Sequence, residues 1–159
     1  MSQAICSLEE VLTYRNPRVL NKFRTLFAVS AVEAEGLFTE TKKWLWLTAV
    51  RRQSGLPSLV IHESMVILDE LWHAFILHTQ DYTDFCLRFF GFYIHHSPGY
   101  PGFVPRTEEE TMEQLSYIWD KLGEETVLRW YDEYSGSYSP EMLKNLVTIP
   151  EFGTPCRAM

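Results

Sequence analysis

Residues 68–86 read LDELWHAFILHTQDYTDFC. At about 100° per residue, Leu68, Leu71, Trp72 and Phe75 fall on one face, the apolar stripe of an amphipathic helix. Asp69 and His73 leave that stripe. They stand at i and i+4, where a carboxylate and an imidazole point the same way and touch. The spacing predicts a helix over 62–78, on which His62 falls within about 40° of Asp69 and His73. On a straight helix His78 is turned about 140° from His73. The stretch HTQDYTDF allows a break there, with Thr79 capping a second helix that ends at Phe90 before Gly91. On that helix Tyr82 and Cys86 are i, i+4 partners.

The rest of the chain also reads as helix. Ser7 and Glu10 form a capping-box pattern, and Asn16-Pro17 suits a helix start. Val19, Leu20, Phe23, Leu26 and Phe27 keep a helical period. AVEAEGLFTETKKWLWLTAVRRQ continues it, with Gly36 as a candidate interruption and Gly55 and Pro57 as the stop. FYIHHSPGYPGFVPR holds three prolines and two glycines and reads as a rigid aromatic loop. Thr107 and Glu110 open another helix that Gly123 closes. EETVLRWYDEY and a short segment after Pro140 complete the set, and the tail is irregular from about residue 146. The expected fold is all-α: one domain over 1–159, a bundle of about six to seven helices with an aromatic Pro/Gly-rich loop.

With 159 residues, 46% of them hydrophobic and 22% charged, the chain has a globular profile. A net charge of −7 argues against nucleic acid and against an anionic membrane surface. No apolar run approaches the roughly 20 residues that span a bilayer. The charge is uneven. Arg15–Arg52 carries eight bases against three acids, and Glu108–Glu133 nine acids against Lys121 and Arg129. The two regions are expected to attract each other within one fold. The alternative is a basic face that docks a protein partner, helped by the aromatic loop SPGYPGF. Cys6, Cys86 and Cys156 make an odd count with no close pair, which fits a reducing cytoplasm better than a disulfide framework.

Four of the five histidines (His73, His78, His95, His96) and Cys86 gather within residues 73–96. Imidazole, thiolate and carboxylate are metal ligands, and an aromatic shell around a few polar groups is what a pocket needs. If the segment of His95 and His96 is extended, only one of them faces a common site. Each residue also has a plainer reading: His73 and Asp69 as a structural hydrogen-bonded pair, Cys86 as a small buried hydrophobe. No HExxH, CxxC or phosphate-binding glycine motif is present.

The pattern Asp69, Trp72-His73, His78, Tyr82, Cys86, Gly91 and then His95 or His96 resembles the glycine-rich domain-containing proteins of plants and fungi and their small bacterial relatives. It covers about 30 residues, with KWLWL upstream fitting loosely and no glycine-rich tail. The resemblance implies that this patch is the family's distinctive feature. It transfers no reaction.

The sequence therefore predicts a small cytoplasmic metal-binding protein, with ligands drawn from Asp69, His73, His78, Cys86, His95 and His96. Zinc is favoured and iron is second. The alternatives are a metal-free interaction module and a Cys-His enzyme with Cys86 as nucleophile and His73 or His78 as base.

Overall fold

The computed structural model describes residues 4–99, 101–102 and 104–148. Cys156, most of the expected irregular tail, and Tyr100 and Phe103 of the aromatic loop lie outside the described residues. Among the described residues, nine α-helices run in the order α1 (Leu8–Leu12), α2 (Pro17–Leu26), α3 (Ala31–Gln53), α4 (Val66–Leu77), α5 (Thr79–Phe90), α6 (Glu108–Leu122), α7 (Glu124–Leu128), α8 (Tyr134–Ser137) and α9 (Pro140–Leu146). A π-turn, Arg129–Glu133, joins α7 to α8 as one continuous helical run. Among the described residues there is no strand, only one antiparallel bridge, Phe27 to Val147. The all-α bundle is as expected, and the short α1 and α9 bring the helical runs to eight.

The helix starts follow from local chemistry. Ser7, Ser30 and Thr107 each accept the amide of the residue three on, and Glu10, Glu33 and Glu110 reach back to the cap amide. Asn16 accepts from the amide of Val19 ahead of Pro17. α3 runs unbroken for 23 residues. Gly36 is exposed on it, with nothing near its missing Cβ, so it costs the helix little more than entropy.

α3 is the central element. Its buried face carries Leu37, Phe38, Trp44, Leu45 and Leu47, and α1, α2, α4 and α6 pack on it. Tyr14, Phe38, Phe75, Phe85 and Phe89 form an aromatic cluster between α2, α3, α4 and α5, with ring centroids 4.9–6.2 Å apart. Edge contacts of this kind add to the stabilisation that burial gives.

The charged residues Glu40, Lys42 and Arg51 are buried, and each has a partner. Glu40 of α3 accepts from Trp130 Nε1 at 2.8 Å, Arg129 at 3.0 Å and Lys43 Nζ at 2.8 Å. That network ties α3 to the π-turn, 90 positions on. Lys42, 1% exposed, donates to the carbonyls of Leu12 and Tyr14 and lies over the Phe38 ring. Burial pushes its ammonium down to about 8.

The basic and acidic regions do meet. Arg51 of α3 makes a two-pronged pair with Glu113 of α6, both contacts 2.8 Å. Other bases of the region are engaged at the surface: Arg18 pairs with Asp81 at 2.7 Å, and Arg52 donates to the Tyr93 carbonyl.

α4 begins later than the sequence predicts. A 3-10 turn, Glu63–Met65, precedes Val66, so His62 lies off the helix that bears Asp69 and His73. At the other end α4 stops at Leu77 and the chain breaks at His78 as expected, but Thr79 is the first residue of α5 and not its cap; His78 holds the cap position, with no side-chain cap bond. Gly91 then takes a left-handed conformation, φ 77°, that turns the chain back from α5. No helix among the described residues is long and apolar enough to cross a membrane.

Candidate metal centre

α4 packs its Leu68, Leu71, Trp72 and Phe75 face into the core, which leaves the neighbouring line, Asp69 and His73, half-buried at the edge. The segment after Gly91 returns alongside. Ile94 is buried, His95 exposed and His96 half-buried, so alternate residues face the bundle. His96 thus meets α4, and His95 turns outward against the Tyr93 ring, 4.8 Å between centroids.

Three side chains converge. His96 Nε2 is 2.7 Å from Asp69 Oδ1, His73 Nε2 is 3.4 Å from Asp69 Oδ2, and the two Nε2 atoms are 3.1 Å apart. One ligand atom from each lies within 4.8 Å of the others. Among the described residues this is the one group of three or more His, Cys, Asp or Glu side chains with that geometry. The imidazoles meet at 61°, and the Trp72 ring closes on His96 from the core side, 4.4 Å between centroids.

The contacts allow an ordinary hydrogen bond from His96 Nε2–H to Asp69 Oδ1, with His73 Nε2 beside both His96 Nε2 and Asp69 Oδ2. With both Nε2 atoms unprotonated, the same three side chains offer one ligand atom each to a cation.

The other predicted residues lie elsewhere. His78 does not reach the group: its Nδ1 donates to the Ala74 carbonyl at 2.8 Å and so caps the end of α4. The turn of about 140° away from His73 is retained because α4 runs straight to Leu77. Cys86 is fully buried and belongs with Tyr82 and the backbone of Ile94. Burial pushes its thiol up, which suits neither a metal thiolate at the exposed edge nor a nucleophile. The Cys-His enzyme reading thus loses its attacking group. His62 joins a different cluster. The Tyr131 hydroxyl, pushed up to about 12 by burial, lies 3.0 Å from His62 Nδ1, and Gln114 donates to the same oxygen. Burial holds the His62 imidazole below its ordinary range.

Two participants were not read from the sequence. Glu70 places a carboxylate 3.7 Å from His73 Nδ1, the ring nitrogen that faces away from the group. Its i, i+3 spacing before His73 was the available signal. The Tyr82 hydroxyl is the second. It accepts from Trp72 Nε1 at 3.0 Å and donates to the Ile94 carbonyl at 2.7 Å. Nothing in local spacing announces that bond, because Ile94 belongs to a separate segment.

A family model described as UCP032817-like, a description that names no activity, matches residues 13–126. That span includes α2 to α6 and every residue of the group. No curated protein and no solved structure matches the chain.

Proposed function

The chain belongs to the UCP032817-like family, and on that footing we propose that it binds one divalent transition-metal ion through Asp69, His73 and His96. The convergence of the three ligand atoms carries this reading. His96 Nε2 lies 2.7 Å from Asp69 Oδ1 and 3.1 Å from His73 Nε2, His73 Nε2 lies 3.4 Å from the other carboxylate oxygen, Oδ2, and one ligand atom of each residue is within 4.8 Å of the others, a spread on the scale of an ion bound at about 2.0–2.1 Å. Glu70 near His73 Nδ1 fits the outer carboxylate that commonly orients a ligating imidazole.

Two imidazoles and one carboxylate, without the Cys86 thiolate, are a set that zinc takes in three-ligand sites and iron(II) takes in facial ones. Either leaves positions open for water or another ligand. His73, 40% exposed, gives an ion a route in. The resemblance of residues 68–96 to the glycine-rich domain-containing proteins supports a role shared with them, since Asp69, Trp72, His73 and Tyr82 all gather at this place. The partner-docking reading gains less, because Arg18, Lys42, Lys43 and Arg51 are already engaged within the chain.

The test is elemental analysis of protein purified without a histidine tag, beside His73→Ala and His96→Ala. About one zinc or iron per chain in wild type, lost in both variants, is the expected result. A wild-type protein that carries no metal and takes up neither zinc nor iron(II) on titration overturns the proposal.

A further inference from the structure

We propose that Tyr82 is a positioning residue, whose hydroxyl holds His96 in register with Asp69 and His73. The inference rests on the metal reading above. α4 supplies two of the three ligands and fixes them by its own backbone. The third comes from a segment outside any helix, so something else must set its place. The Tyr82 hydroxyl is fully buried, donates to the carbonyl of Ile94 and accepts from Trp72 Nε1. Ile94 stands two residues before His96, and Trp72 stands one residue before His73 on α4. One hydroxyl therefore bridges the two segments that carry the ligands.

Its surroundings leave it no alternative. The Tyr82 ring is edge-on to Phe75 at 5.1 Å and to Tyr93 at 5.1 Å, which locks its direction. Cys86, one turn later on α5, meets both the Tyr82 side chain and the backbone of Ile94. The backbone of Ile94 is thus met from α5 by two residues at i and i+4. This accounts for a cysteine in the cluster that touches none of the three ligands. A buried carbonyl that lost its donor would have every reason to move toward water and take His96 with it.

The experiment compares wild type with Tyr82→Phe, which keeps the ring and removes the oxygen. The control is Ile118→Val, a core truncation that lowers stability on α6, a helix that packs chiefly on α3 and α7. Two quantities are read: zinc affinity of the tag-free protein by competition with a chelator, and amide hydrogen exchange of the peptide Phe92–Ser97. Zinc binding weakened by about 10–100-fold in Tyr82→Phe, with faster exchange of that peptide and neither change in the control, is expected. Wild-type affinity and exchange in Tyr82→Phe overturn the proposal. If wild type binds neither zinc nor iron(II), the metal reading falls, and exchange alone decides whether Tyr82 holds His96. If Tyr82→Phe does not fold, the wild-type hydroxyl proton decides by NMR. Slow exchange and proximity to Trp72 Hε1 support the bridge, and a rapidly exchanging hydroxyl overturns it.

Discussion

The Nε2 atoms of His73 and His96 lie 3.1 Å apart, although 23 positions separate the two residues. One comes from the exposed edge of a core helix, the other from a segment that doubles back after Gly91. Two neutral imidazoles gain little from such an approach. Two lone pairs beside a carboxylate gain much if a cation sits between them.

Trp72 joins the core to this pair. It is 6% exposed, donates to Tyr82 and walls His96. Trp72→Ala should cost about 3–5 kcal/mol, the usual range for emptying a large aromatic site. Against a total stability of about 5–15 kcal/mol, urea unfolding will register a change of that size clearly. A midpoint near wild type would mean that the Trp72 ring is not core.

Glu40 is the corresponding point on the far side of α3. Three donors converge on its carboxylate, and it is 4% exposed. Glu40→Ala leaves the buried Trp130 N–H without its acceptor and takes from Arg129 its buried carboxylate, leaving it the exposed Glu125, and removal of one member of a buried charge network typically costs about 3–5 kcal/mol. The expected result is a large fall in melting temperature that Glu40→Gln only partly restores. Exposed Glu133→Ala, by comparison, should leave the melt almost unchanged.

The helices were legible because their signals are local: two capping boxes, an Asn-Pro start and two glycine stops act within a turn or two of backbone, and a third box, Ser30 with Glu33, was there to be read in the same way. The Asp69–His73 pairing was legible for the same reason. The choice of His96 over His95 was not, because it depends on which side of the returning segment the core takes. His78 and Cys86 looked like ligands because the sequence counts residue types without seeing their directions. His78 faces its own helix end, and Cys86 faces inward. The start of α4 was misjudged at His62 because a periodic pattern cannot distinguish a 3-10 entry turn from a full helical turn.

Lys42 gives the protein a pH signature in the alkaline range. Its folded value is about 8 and its unfolded value near 10.5. Between them the unfolded chain binds the proton more tightly, so stability should rise as pH increases from about 8 to 9.5, by up to roughly 1.4 kcal/mol per unit for this one group. Below pH 8 the penalty for a buried ammonium is present in full. Above about 10 the buried tyrosines oppose the trend. Their folded values are raised, Tyr131 to about 12, so the stability they contribute is lost as pH climbs from 10 through that range. Denaturant midpoints at pH 7.5, 8.5 and 9.5, for wild type and Lys42→Met, measure the effect. The variant should lose the upward slope, and parallel slopes would assign the pH dependence to another group.

The acid side tests the metal site. Imidazole has an ordinary value near 6.5 and must be neutral to ligate, so occupancy should fade between pH 7.5 and pH 5. Asp69 and His73 should then separate by magnitude. His73→Ala removes a ligand supplied from the rigid helix and should abolish stoichiometric binding. Asp69→Asn keeps an oxygen at the same place but removes its charge. If Asp69 ligates the ion directly, binding should be lost as completely as in His73→Ala. If it only orients His96 through the 2.7 Å contact, affinity should fall by about 10–100-fold and stoichiometry should persist at high metal. The direct role is expected, because the second carboxylate oxygen also faces His73, at 3.4 Å. Metal content of wild type, His73→Ala and Asp69→Asn after dialysis at pH 7.5 and pH 5 distinguishes these outcomes. Retention at pH 5 in wild type together with retention in His73→Ala would exclude ligation by His73.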